Sequence, residues 1–225
     1  MRKRVGWAKA LICVLVLAAS AVLSSAGGLF AAPRISTKTI YFTVSGSTPS
    51  QVLRSILSRG PGIRTGGKAM ATTQANISQT LKPRGKNGCR YSSKAVITLR
   101  LPRLAKSSRK SRSVRRVWRS FDKYIRAHEG RHKSIFLSCA KRIDRRARAY
   151  IRKHGCKNAK LKITKIMVDE RLRCNRLNQT YDRRERGRIR ALPLIRQARA
   201  GTRRASVASV RDLKKRSKRA KRRRN

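Results

Sequence analysis

Val114, Trp118, Phe121, Ile125, His128, His132, Ile135, Cys139, Ile143 and Ala147 follow one another at steps of three or four residues. That spacing puts them on one face of a single long helix, predicted over 114–150. Arg and Lys fill the opposite face, and Gly155 supplies a stop. Whatever the chain folds into must cover this stripe, and must do so with two imidazoles inside it.

The surrounding sequence predicts what does the covering. Thr39-Ile40-Tyr41-Phe42-Thr43-Val44 is rich in β-branched and aromatic residues, which suits a strand. Ser45-Gly46-Ser47 reads as a turn, Thr48-Pro49 as a helix cap and first position, and Val52, Ile56 and Leu57 as the stripe of a short helix ended by Gly60-Pro61-Gly62. Residues 67–101, broken by a turn over Lys82–Gly88, read as a hairpin. Lys106 to Ser113 reads as a mobile, basic, serine-rich linker. A second long helix is predicted over 159–184, with Leu161, Ile163, Ile166, Met167, Leu172 and Leu177 as core candidates. The expected class is α+β: a small antiparallel sheet from residues 39–101 packed on two long helices, with a site between them.

The chemistry sits on the first long helix, in His128-Glu129-Gly130-Arg131-His132. Two His four residues apart project from one helix face and can both give imidazole nitrogens to one metal ion. The Glu after the first His then lies beside the open coordination position, where it can take a proton from bound water and later return it to a leaving amine. The chain has only three His, two of them in this motif. In a chain so poor in acids, the bland reading is that Glu129 merely neutralises Arg126 and Lys133. The chemical reading predicts Zn2+ held by His128 and His132, with Glu129 catalytic. A third ligand is required: Asp182 is taken as the candidate, with Glu170 and Glu185 as alternatives, each able instead to pair with a nearby Arg. His154, beside Gly155 at the predicted helix end, is the weakest option.

Charge bounds the partners. Lys and Arg number 61 against 8 Asp and Glu, a formal net charge of +53. Repulsion on that scale must be offset by burial, crosslinks or bound anions, so anionic envelope polymers or a membrane surface are expected partners beside a peptide or protein substrate. Aromatic residues are 5% of the chain and no base-reading motif is present, so specific nucleic-acid recognition is not expected. Arg2, Lys3, Arg4 and Lys9 precede an uncharged run from Leu11 to Leu23 and the small residues Ser24-Ser25-Ala26, the pattern of a signal peptide over 1–26. The run continues to about residue 32, long enough for an uncleaved anchor in the inner membrane. The expected location is therefore secreted or periplasmic. Cleavage leaves Cys89, Cys139, Cys156 and Cys174, an even number that suggests two disulfides, with three connectivities open. Residues 37–195 read as the metallopeptidase domain and 200–225 as a disordered polybasic tail.

The order of these features resembles a bacterial family of predicted secreted zinc-dependent proteases, otherwise a domain of unknown function. The resemblance covers about residues 39–188. It rests on Tyr41-Phe42-Thr43-Val44-Ser45-Gly46-Ser47-Thr48, Cys89, Val96-Ile97-Thr98-Leu99-Arg100-Leu101-Pro102, Trp118 with Phe121, the His128–His132 motif, Cys156, and Asn178 with Tyr181-Asp182. It implies a zincin-like fold, a Cys89–Cys156 disulfide with Cys139–Cys174 as the remaining pair, and a third His after Tyr-Asp. This chain instead reads Arg183-Arg184-Glu185-Arg186-Gly187-Arg188. Either Asp182 or Glu185 takes the missing place, or the protein is a degenerate, exported polycation that binds anionic polymers or nucleic acid without cutting.

Overall fold

The computed structural model describes residues 33–63, 66–84 and 88–203. The signal or anchor reading of residues 1–32 and the tail reading beyond residue 203 lie outside them. The elements are β1 (Arg34–Val44), α1 (Pro49–Arg59), β2 (Thr72–Arg84), β3 (Gly88–Leu104), α2 (Arg112–His154) and α3 (Ala159–Ala191). The chain is helical again over 193–203, so the first residues of the expected disordered tail are ordered.

The class is α+β as expected, but the sheet is mixed and not antiparallel. Its order is β1-β3-β2, with β2 antiparallel and β1 parallel to the central strand. The β2–β3 hairpin is a local event. The place of β1 is decided by the connection from residue 45 to 71, which crosses the end of the sheet where β1 and β3 both finish. The chain therefore enters β2 at that end and runs opposite to both neighbours. Thr48 caps α1 through a capping box: its hydroxyl accepts from Gln51 N at 3.3 Å, and Gln51 Oε1 accepts from Thr48 N at 3.3 Å. At the other end of α1, a Cβ on Gly60 would collide with the Ala69 carbonyl oxygen, so only Gly lets the loop before β2 close against the helix.

Along β3 alternate residues Tyr91, Ser93, Ala95, Ile97, Leu99 and Leu101 are buried, against exposed Arg90, Ser92, Lys94 and Arg100. The buried face takes the α2 stripe, whose Val114, Val117, Phe121 and Ile125 join Val44, Val52, Ile56 and Leu99 in the main core. Phe121 is fully buried, a burial that contributes roughly 2–3 kcal/mol. The segment expected to be a mobile linker is built into this core instead. Ser107–Lys110 forms a 3-10 turn, buried Ser108 accepts from Gly46 N at 2.9 Å, and Ser111 caps α2.

α3 corrects a second expectation. Leu161, Leu172 and Leu177 are exposed by 76%, 52% and 43%. The face turned to the rest of the molecule runs through Ala159, Ile163, Ile166, Glu170, Cys174 and Glu185. Ion pairs and a disulfide, not leucines, hold much of α3 to α2. Cys139–Cys174 joins the two helices and Cys89–Cys156 ties the start of β3 to the turn after α2, with Cα separations of 6.3 and 5.4 Å. Two disulfides belong to an oxidising, extracellular or periplasmic setting. No helix among the described residues is long and apolar enough to cross a membrane.

Candidate metal centre

The α2 stripe carries His128 and His132 inward, with 6% and 8% of their surfaces exposed. Four residues apart, they sit one turn above one another and bring their Nε2 atoms to 3.1 Å. Asp182 reaches the same point from α3: its Oδ1 lies 3.3 Å from His128 Nε2 and 2.9 Å from His132 Nε2. These three residues are the group of potential metal-binding side chains among the described residues. The other sequence candidates go elsewhere. Glu170 accepts from Arg142 and Arg146, each at 2.9 Å. Glu185 accepts from the Tyr124 hydroxyl and from Arg188. His154 is exposed at the end of α2, against Tyr150.

The donor set fits a small divalent cation. Zn2+ bonds of 2.0–2.2 Å at tetrahedral angles put neighbouring ligand atoms about 3.3 Å apart, close to the three separations seen. The proton pattern agrees. His132 Nδ1 is 2.8 Å from Asn178 Oδ1, an acceptor, so Nδ1 donates to it and the ring is held with Nε2 directed at Asp182, the atom free to become a metal ligand when its proton is displaced. His128 Nδ1 is buried without a hydrogen-bond partner among the described residues, so its ring is anchored only through Nε2 and stacking. Tyr181 stacks on His128 at 4.9 Å between centroids and Tyr124 at 6.1 Å.

Electrostatics separates the roles. Burial by itself would raise Asp182, but its contacts to His128 and His132 outweigh that and hold it well below the usual carboxylate range. Burial would lower His132, yet Asp182 and Asn178 carry the net shift upward. Glu129 moves the other way: burial dominates and raises its carboxyl, against the opposing pull of the Thr73 hydroxyl and the two imidazoles. Thr73 donates to Glu129 Oε2 at 2.6 Å from the edge strand β2. Glu129 is therefore not neutralised by Arg126, which is paired with Asp122 and Tyr41.

These groups share the wall of a cleft of about 540 Å³ bounded by Leu57, the loop from Lys68 to Thr73, Phe136, Gln179 and Ile189. Thr73 and the orienting role of Asn178 are not visible in the sequence reading. Asn178 could have been found, since it stands one helical turn before Asp182 on the same face. Thr73 carries no sequence signal, because its meeting with Glu129 is set by how the sheet lies on α2.

Residues 39–188 match a family described as a bacterial protein of unknown function, DUF922. No curated protein and no solved structure matches the chain.

Proposed function

Since the chain belongs to DUF922, a bacterial family whose function is unknown, the site itself must carry the assignment, and we propose that it is a zinc-dependent metallopeptidase acting outside the cytoplasm. The observation that carries this reading is the convergence of His128 Nε2, His132 Nε2 and Asp182 Oδ1 beside a buried Glu129. His128, His132 and Asp182 would hold the ion. When bound, it supplies Lewis acidity toward a peptide carbonyl and brings the pKa of its water to about 7.

The chain's own residues supply the rest. Glu129 accepts the proton of the attacking water and passes it to the leaving nitrogen. Its raised affinity for a proton suits both halves of that task, and Thr73 donates to Oε2, which leaves Oε1 to take and release the proton. Asn178 keeps the hydrogen of His132 on Nδ1, and Tyr181 packs against the His128 ring. The cleft leaves room for a polypeptide segment between β2 and α3.

The test is zinc analysis and peptide hydrolysis on the purified chain. Expected is about one zinc per chain, retained in Glu129→Gln while hydrolysis falls at least about 100-fold, and lost in His128→Ala. A wild-type protein that binds no zinc, or a Glu129→Gln protein that hydrolyses as well as wild type, removes the assignment.

A further inference from the structure

The first acidic residue of the chain is Asp122, so β1, α1, β2 and β3 contain no Asp or Glu. α2 packs on the face of the sheet that carries Ser93, Ile97 and Leu99, and on the other face the alternate residues over 34–38, 74–82 and 90–94, with Arg100, are exposed. Strand register shows what lies there. Arg34 of β1 pairs with Lys94 of β3, and Lys94 with Ser78 of β2. Lys82 of β2 pairs with Arg90. Lys38 and Arg100 complete the set near the other end of β3, two residues apart in register and so diagonal neighbours on the same face. All six cations are exposed.

Like charges placed directly opposite on neighbouring strands repel and destabilise a sheet. The Arg34–Lys94 and Lys82–Arg90 rows are two such pairs, and no acid among the described residues lies on this face. The helices differ: there Asp122 pairs with Arg126, Asp169 with Lys165 and Glu185 with Arg188. On the sheet face, by contrast, none of the six cations has an acid from the strands beside it.

The cations also form a pattern. From Arg90 to Lys94 is about 13 Å along β3 and from Lys94 to Arg100 about 20 Å, so three pairs follow one another down the central strand. Between them stand Ser92, Thr80, Ser78, Asn76 and Thr98, side chains that donate to phosphate oxygens. None of the exposed large apolar side chains lies on this face. Its apolar residues Ile40, Phe42 and Val96 are partly buried and do not stand out to insert into lipid, while a line of charge suits a chain.

We propose that the solvent face of the sheet is a docking track for a linear phosphate polymer running along β3. The track lies on the side of the sheet away from α2, so its occupation leaves the His128 cleft open and does not depend on a metal there. An exported protein so equipped is held on phosphate-rich material of the cell envelope.

The test compares two variants of the full chain with equal charge loss. One carries Arg34, Lys38, Lys82, Arg90, Lys94 and Arg100 changed to Gln. The other changes the exposed α2 residues Arg115, Arg116, Arg119, Lys123, Lys141 and Arg145 to Gln. Binding to long-chain inorganic polyphosphate is read by fluorescence anisotropy across a salt series. The sheet variant is expected to bind at least about 10-fold more weakly and the helix variant less than about 3-fold. The slope of log K against log salt should fall by about 0.7 per contact removed in the sheet variant. Its thermal midpoint without polymer should be unchanged or higher, since like charges have been separated. If the sixfold variant fails to fold, Arg90→Gln with Lys94→Gln should show part of the same loss. Equal losses in the two variants would mean that only total charge matters and would overturn the track. So would a sheet variant that loses binding to phosphatidylglycerol vesicles but keeps polyphosphate.

Discussion

Glu170 and Asp182 stand roughly three turns apart on α3, and both carboxylates turn toward α2. Glu170 has 3% of its side chain exposed and meets two guanidinium groups; Asp182 has 55% exposed and meets two imidazoles. The first is a closed pair of charges. Burial would raise Glu170, but Arg142 and Arg146 bring it down, and each of its oxygens accepts from a guanidinium inside the helix pair. Asp182 brings a carboxylate oxygen to two nitrogens that also face each other, at the edge of a cleft. Two acids of similar chemistry therefore take opposite roles on one helix. A carboxylate held by two arginines fastens structure; one shared between two imidazoles at the edge of a cleft is poised for a cation.

The widest separation is expected from the alanine pair. Asp182→Ala should reduce zinc affinity by more than the roughly 10–100-fold typical of outer-shell residues, and hydrolysis with it, while the thermal midpoint of the metal-free protein stays near wild type. Glu170→Ala should do the reverse: zinc stoichiometry holds, and denaturant unfolding shows a loss of about 2–3 kcal/mol, somewhat under a fully buried pair because Arg142 and Arg146 are partly exposed. If Glu170→Ala loses zinc and remains stable, the contrast is wrong. Asn178→Ala should fall between, with zinc affinity down about 10-fold through the freed His132 ring, read by competition with a chromophoric chelator. The smallest effect is a pH dependence. Glu170 has a folded pKa below its unfolded value of about 4.5, so its contribution is full above that value and is lost as pH falls through the folded pKa. The stability difference between wild type and Glu170→Gln should therefore shrink steadily below pH 4.5. A difference constant down to acid would place Glu170's contribution outside its charge.

The two carboxylates also mark where the sequence could be read. α2 was legible because its stripe repeats at helical spacing for many turns, and His128, Glu129 and His132 came with it. α1 was legible from Thr48 and Pro49. The inward face of α3 was not: counting apolar residues selected Leu161, Leu172 and Leu177, whereas the buried stripe is partly ionic. Its Glu170 is tolerable there only because Arg142 and Arg146 arrive from another helix. The parallel course of β1 was hidden for the same reason, being decided by a crossing at the far end of the sheet. Among Asp182, Glu170 and Glu185, the sequence offered no ground in spacing to choose; the choice depends on which turn of α3 meets which turn of α2.

That meeting has a built-in index. Cys139 lies about two turns beyond His132, and Cys174 about two turns before Asp182. Were α3 to slide along α2 by a single turn, about 5.4 Å, Glu170 would leave its two arginines and Asp182 would be carried past the imidazoles. The covalent bond between Cys139 and Cys174 forbids the slip. It acts as a detent, fixing the helical hairpin at the one notch in which residues from distant parts of the chain point at the same spot.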